Sequence, residues 1–321
     1  TMNLNGNRRR VSILLGALFS ATLFACSIFP LSNAHGEDLR AIWDNGGGDL
    51  EFSNPLNWAN LDPSGLANHT LPGAWLDTGD DPVHPNDDAN DTTNAIIQNG
   101  NNVLLSSNFN AANQFDILIV RFGSSLDIQA DLNTNNSPIL LGQIAGNTDS
   151  ITQSSGAVTA SALTLGDASS TYTISDGSLS LSGGLTLNNV DGSTFSLSGD
   201  TADVGAGNFT LNGASTLDLA FGATGINAID VGNTFSISGS AILDIDGSAY
   251  SGGPATIDLV TFANLSGAFA DPANINVTGF SAPTSIGYDG DSMFLIVGVP
   301  EPSSLMVLGL AGFAMGCRRR R

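Results

Sequence analysis

Residues 172–188 read YTISDGSLSLSGGLTLN, and the architecture of the chain follows from them. Tyr172, Ile174, Leu179, Leu181, Leu185 and Leu187 alternate with Thr and Ser, so apolar groups fall on one face and hydroxyls on the other. That period of two is the mark of half-buried β-strands. Asp176-Gly177 and Gly183-Gly184 punctuate the run where the chain must turn or bend. Working outward, the same unit precedes and follows. Ile151-Thr152, Val158-Thr159 and Leu163-Thr164-Leu165 align with Tyr172-Thr173, Leu179-Ser180 and Leu185-Thr186-Leu187, at an offset of 21 residues that becomes 22. A third copy opens at Phe195, 23 residues after Tyr172, and reaches Phe209-Thr210-Leu211. Phe235-Ser236-Ile237 and Leu243-Asp244-Ile245 continue the alternation.

A repeat this short cannot bury its apolar face alone, whereas stacked copies line up a continuous interior. The reading is all-β: a right-handed parallel β-helix, or solenoid, with coils of about 22 residues. It occupies residues 115–298, with room for roughly eight coils rising about 4.8 Å each, some 40 Å in all. A β-sandwich is the alternative, because short strands with regular turn signals fit it too. The repeat lies in the sequence and not only in its periodicity, which favours the solenoid. The pattern also resembles the autotransporter-type β-strand repeats of exported bacterial proteins.

Residues 35–114 differ in composition. They hold Trp43, Trp58 and Trp75, His69 and His84, and they read as an opening coil or N-terminal cap over exposed strand edges. Two functional readings attach here. The three tryptophans could form a platform for sugar rings instead of packing the cap. Asp77, Asp80, Asp81, Asp87, Asp88 and Asp91 supply the oxygen ligands a Ca²⁺ ion needs, although without EF-hand spacing. The other reading of this run is a solvated acidic loop. No other cofactor is expected.

Charge excludes more than it proposes. The chain has no lysine, and between Glu37 and Val299 it carries 29 acids against Arg40 and Arg121. Such a surface repels phosphate backbones, so no nucleic-acid partner is expected. Cys26 and Cys317 both lie in the apolar end segments, leaving the body without a disulfide or thiolate site.

Both ends read as signals. Arg8-Arg9-Arg10, the apolar run 11–29 and Ser32-Asn33-Ala34 make residues 1–34 a secretory signal peptide, with cleavage by signal peptidase after Ala34. Leu23-Phe24-Ala25-Cys26 offers a looser, lipoprotein-type alternative. At the other end, Pro300-Glu301-Pro302 precedes an apolar run from Leu305 to Cys317 and then Arg318, Arg319, Arg320 and Arg321. Thirteen helical residues span about 20 Å, less than the roughly 30 Å hydrocarbon core. The arginines would stay in the cytoplasm, putting the Pro-Glu-Pro at the outer interface. In this order the three parts resemble the PEP-CTERM sorting signal of exopolysaccharide-associated bacterial proteins, here residues 299–321. The resemblance implies transient membrane insertion, recognition by an exosortase with this chain as its substrate, and a place in the envelope or outside the cell.

The expected function is therefore a non-enzymatic, exosortase-processed surface or matrix protein, structural or adhesive, with exopolysaccharide as a candidate partner. A carbohydrate-binding module is the alternative. A glycan-active β-helix enzyme is less favoured. Two basic residues supply lyase chemistry poorly, and carboxylate pairs suited to hydrolysis are too common on such a body to single one out.

Overall fold

The structure is a computed structural model that describes residues 39–61, 67–68, 93–110, 117–142, 146–166, 169–188, 192–269 and 271–298. All of them belong to the unit spanning residues 36–321. The described residues form an all-β parallel solenoid of about 6 turns with coils about 24 residues apart and almost no helix among them. Eight coils of 22 were expected. The difference lies late in the chain, where Phe209 and Phe235 stand 26 residues apart and Phe235 and Leu265 stand 30 apart. The last described strands also leave the coil and form an antiparallel hairpin.

Two ladders run the length of the body. One stacks Ile139–Leu141, Ala157–Leu165, Ser178–Leu187, Asp203–Leu211, Ile229–Ile237 and Ala255–Gly267, all parallel. The other stacks Ser125–Ile128, Ser150–Gln153, Thr171–Ile174, Thr194–Ser198, Thr216–Ala220, Ile242–Asp246 and Ile275–Thr278, again parallel. The register is the one the repeats specify: Ile151 faces Tyr172, Val158 faces Leu179 and Leu163 faces Leu185. Tyr172 then faces Phe195, and Leu185 faces Phe209. The inward leucines and phenylalanines of the middle coils are buried. Leu163, Leu185, Phe209 and Phe235 are wholly buried in one column. Full burial of such a side chain stabilises by roughly 1.5–3 kcal/mol.

The long strands of the first ladder bend at one corner. Their register shifts fall between Ala160 and Ala162, between Leu181 and Gly184, and between Ala206 and Phe209. The corner needs small residues because coils stack backbone on backbone there. A Cβ on Gly207 would collide with the carbonyl oxygen of Gly183.

Inside, aromatic rings continue the stack. Tyr172 and Phe195 lie nearly parallel with centroids 5.7 Å apart, and Phe209 and Phe235 with centroids 5.2 Å apart. Gln153 is a buried exception to the apolar interior. Its amide nitrogen donates to the carbonyls of Gly156 and Ser178, and its Oε1 accepts the Tyr172 hydroxyl at 2.7 Å. A buried glutamine so fully satisfied costs little and ties two neighbouring coils together.

The parallel ladder crosses the boundary expected at residue 114. Thr93–Ile97 pairs with Leu39–Trp43 on one side and Ile117–Val120 on the other, and Asn102–Leu105 pairs with Ser125–Ile128. The capping elements lie outside these strands. Trp58–Leu61 runs antiparallel along Leu39–Trp43, and Leu50 and Phe52 exchange backbone bonds with Leu104. Thus both edges at this end are covered. At the far end Ser292–Val297 lies antiparallel between Ala255–Gly267 and Thr284–Tyr288, which closes the first sheet.

Candidate functional site

Trp43 and Trp58 are core residues, 1% and 0% exposed. Their rings meet edge to face at 5.3 Å, Phe52 packs on Trp58 at 5.0 Å, and Trp58 Nε1 donates to the Phe52 carbonyl at 2.8 Å. Neither indole presents a face to a sugar ring, so these two residues do not form the platform that was the alternative to packing the cap. The antiparallel pairing that sets Trp43 opposite Trp58 turns both inward. Trp75 lies outside the described residues, as do Asp77, Asp80, Asp81, Asp87, Asp88 and Asp91, His69 and His84, and Ala34. Among the described residues no group of three or more His, Cys, Asp or Glu side chains is placed to hold a metal ion.

What the structure gathers instead is an acidic cleft of about 450 Å³, lined by Asp230, Asp258, Asp289, Asp291, Thr261 and Ser292 over Phe262. Three separate stretches of chain meet here because Asp230 faces Thr261 across one ladder and Thr261 faces Ser292 across the next. The carboxylates are partly engaged. Ser292 Oγ donates to Asp258 at 2.9 Å and Thr261 Oγ1 to Asp230 at 3.2 Å. The amides of Asp291 and Ser292 donate to Asp289 Oδ1, and this holds its carboxyl below the usual carboxylate range. Such a cleft favours cations and repels anionic ligands. Asp289-Gly290-Asp291 is visible in the sequence as a turn, but nothing local connects it to Asp230 or Asp258.

A second carboxylate arrangement sits on the outer face of the other ladder. Asp218 and Asp244 occupy neighbouring rungs in register, with Ser196 and Asn276 above and below. Ser196 Oγ donates to Asp218 at 2.8 Å. Partial burial pushes the Asp244 carboxyl up, the Asp218 charge adds to this, and a bond from Asn276 opposes it. This pair stands on a strand face, apart from the cleft, and the two do not combine into one catalytic constellation.

The third feature is the exit of the chain. Val297 is 3% exposed and paired on both sides, to Ala255 and to Thr284. Gly298 donates its amide to the Pro283 carbonyl at 2.8 Å. Pro300, Glu301, Pro302 and Arg318 to Arg321 follow beyond the described residues. Among the described residues no helix is long and apolar enough to cross a membrane, and the run from Leu305 to Cys317 lies outside them.

Comparison with known proteins identifies this exit. The family model for the PEP-CTERM protein-sorting motif matches residues 298–321. The chain therefore carries a PEP-CTERM motif, whose presence implies an exported, exosortase-targeted protein. No curated protein matches the chain, and no solved structure matches it.

Proposed function

We propose that the chain is a surface or matrix protein of the cell envelope with no catalytic activity of its own. Signal peptidase removes residues 1–34 during export. The C-terminal segment then inserts transiently in the membrane, and an exosortase acts at the Pro-Glu-Pro. The solenoid that remains is a structural or adhesive spacer associated with exopolysaccharide. The single observation that carries this reading is the sorting motif at 298–321, joined without interruption to a ladder-built body. An outward column such as Thr164, Thr186, Thr210 and Ser236 supports it, since it offers hydroxyls on successive rungs.

The test is intact mass and fractionation of the protein from its native cells, with and without Arg318 to Arg321. Mature termini near His35 and Pro300 are the expected result, with only the C-terminal one lost in the truncated form. An unprocessed C-terminus retained in the membrane fraction would withdraw the exosortase step. Reducing-sugar release that a single Asp→Asn change abolishes would replace the spacer reading with a hydrolase.

A further inference from the structure

We infer that the uncharged end of the closing hairpin, where Pro254, Pro283 and Gly298 meet, seats against the membrane enzyme that processes the tail. The inference rests on the sorting reading above and adds a surface to it. Its first ground is the absence of a spacer. The body is pinned up to Gly298, whose amide donates to the Pro283 carbonyl and where an added Cβ would press on the Pro254 ring. Pro300 follows two residues later. Fully extended chain covers at most about 3.5 Å per residue, so Pro300 lies within roughly 7 Å of the folded sheet. An enzyme that grips the Pro-Glu-Pro must come that close to the body.

The second ground is that the last strand does not feed into an active site as loose peptide. Freeing Ser292–Val297 would break two ladders at once and expose Met293, Leu295 and Val297, all buried. The enzyme therefore meets a folded edge upstream of the motif.

Charge supplies the third ground. In a body with 29 acids, residues 250–257, 272–288 and 293–299 carry none. Within them, residues 254–257, 283–286 and 295–298 frame the exit. Asp289 and Asp291 sit in the turn at the other end of the same hairpin, beyond the pairing of Tyr288 with Met293. The uncharged end can approach an anionic membrane surface that the acidic remainder is repelled from.

Tail removal from the full-length chain, followed by pulse-chase and intact mass in cells that carry an exosortase, tests the inference. One variant inserts a Gly/Ser spacer of about eight residues between Gly298 and Val299, a reach of about 16 Å. A second is Pro283→Asp, which keeps the backbone acceptor, with Ser240→Asp on a distant exposed turn as its control. The spacer and Pro283→Asp should each slow tail removal on the order of threefold, equivalent to about 0.6 kcal/mol, and Ser240→Asp should not. A spacer that speeds removal, or leaves it unchanged, would show the folded end to be an obstacle or a bystander and overturn the inference. A wild-type chain whose tail is never removed would instead sink the sorting reading itself. Thermal melts of each variant separate loss of the surface from loss of the fold.

Discussion

Asp244 stands in register with Asp218 on the neighbouring rung, so two carboxylates share one outward column. Asp246 is the other acid on the same strand, and its oxygens accept from Ser248. Burial first, and Asp218 second, push the Asp244 carboxyl up in the folded state. The folded chain then holds this proton at pH values where the unfolded chain has released it. Stability is lost as pH rises through the folded value and regained on acidification, the reverse of a salt-bridged aspartate. Asp244→Asn should raise stability at neutral pH by less than about 1 kcal/mol, since solvent screens a largely exposed pair. It should also flatten the rise in urea midpoint between pH 7 and weakly acidic pH. Identical pH profiles for the wild type and Asp244→Asn would count against the pair.

The inward and outward assignment can be read from two substitutions in one strand. Leu187 is fully buried and Ser180 faces solvent. Leu187→Asp should cost several kcal/mol or prevent folding, because a charge would enter the stacked interior. Ser180→Asp should stay within about 0.5 kcal/mol of wild type. Equal urea midpoints for the two variants would refute the assignment.

Gly177 adopts φ +83°, and a Cβ there would collide with the Gly156 carbonyl one coil below. Gly177→Ala should therefore destabilise by about 2 kcal/mol or more. Gly205 has open space around its α-carbon and no unusual φ. Gly205→Ala should be neutral or slightly stabilising, up to about 1 kcal/mol. Differential scanning calorimetry on the two variants checks both signs.

Removing the Tyr172 hydroxyl leaves Gln153 Oε1 buried without that donor. Tyr172→Phe should cost about 1–3 kcal/mol even though the ring and its stack on Phe195 remain. Changing Gln153 to Met in the same background removes the orphaned acceptor but also the donor to the Gly156 and Ser178 carbonyls, so it should recover little of the loss. A double-mutant cycle by urea unfolding measures the coupling, and a value near zero would mean the bond contributes nothing.

The middle of the solenoid was legible in the sequence because its inward residues recur with their hydroxylated neighbours. Ile151, Tyr172 and Phe195 could be aligned by eye, and the ladder pairs them. The alignment weakens where coils lengthen. Nothing near Leu265 repeats the Phe235-Ser236-Ile237 triplet closely enough to fix a 30-residue step. Toward the N-terminus, Thr93–Ile97 joins the ladder with Asn94-Ala95-Ile96-Ile97, which lacks the alternating Ser and Thr that mark the later coils. Trp43 and Trp58 were ambiguous because composition says which residues are aromatic and not which way a hairpin turns them. The cleft was invisible for a different reason. Asp230, Asp258 and Asp289 are about 30 residues apart, and only lateral stacking of coils brings them together. The sorting motif, by contrast, is read by its own enzyme as a linear string, and a linear string is what sequence preserves.

The in-register stacking of like coils makes the length of this protein a matter of copy number. The coil that starts at Tyr172 presents Tyr172, Leu179 and Leu185 to the same neighbours that Phe195, Val204 and Phe209 would meet in its place. A gene duplication or deletion of one whole period leaves both junctions matched, and changes the reach of the molecule by a single inter-strand spacing of about 4.8 Å. The two closed ends are spared in either case. Natural variants of such a chain are thus free to differ in steps, like rungs added to a ladder, while a slip of one residue within a strand would turn its leucines toward water.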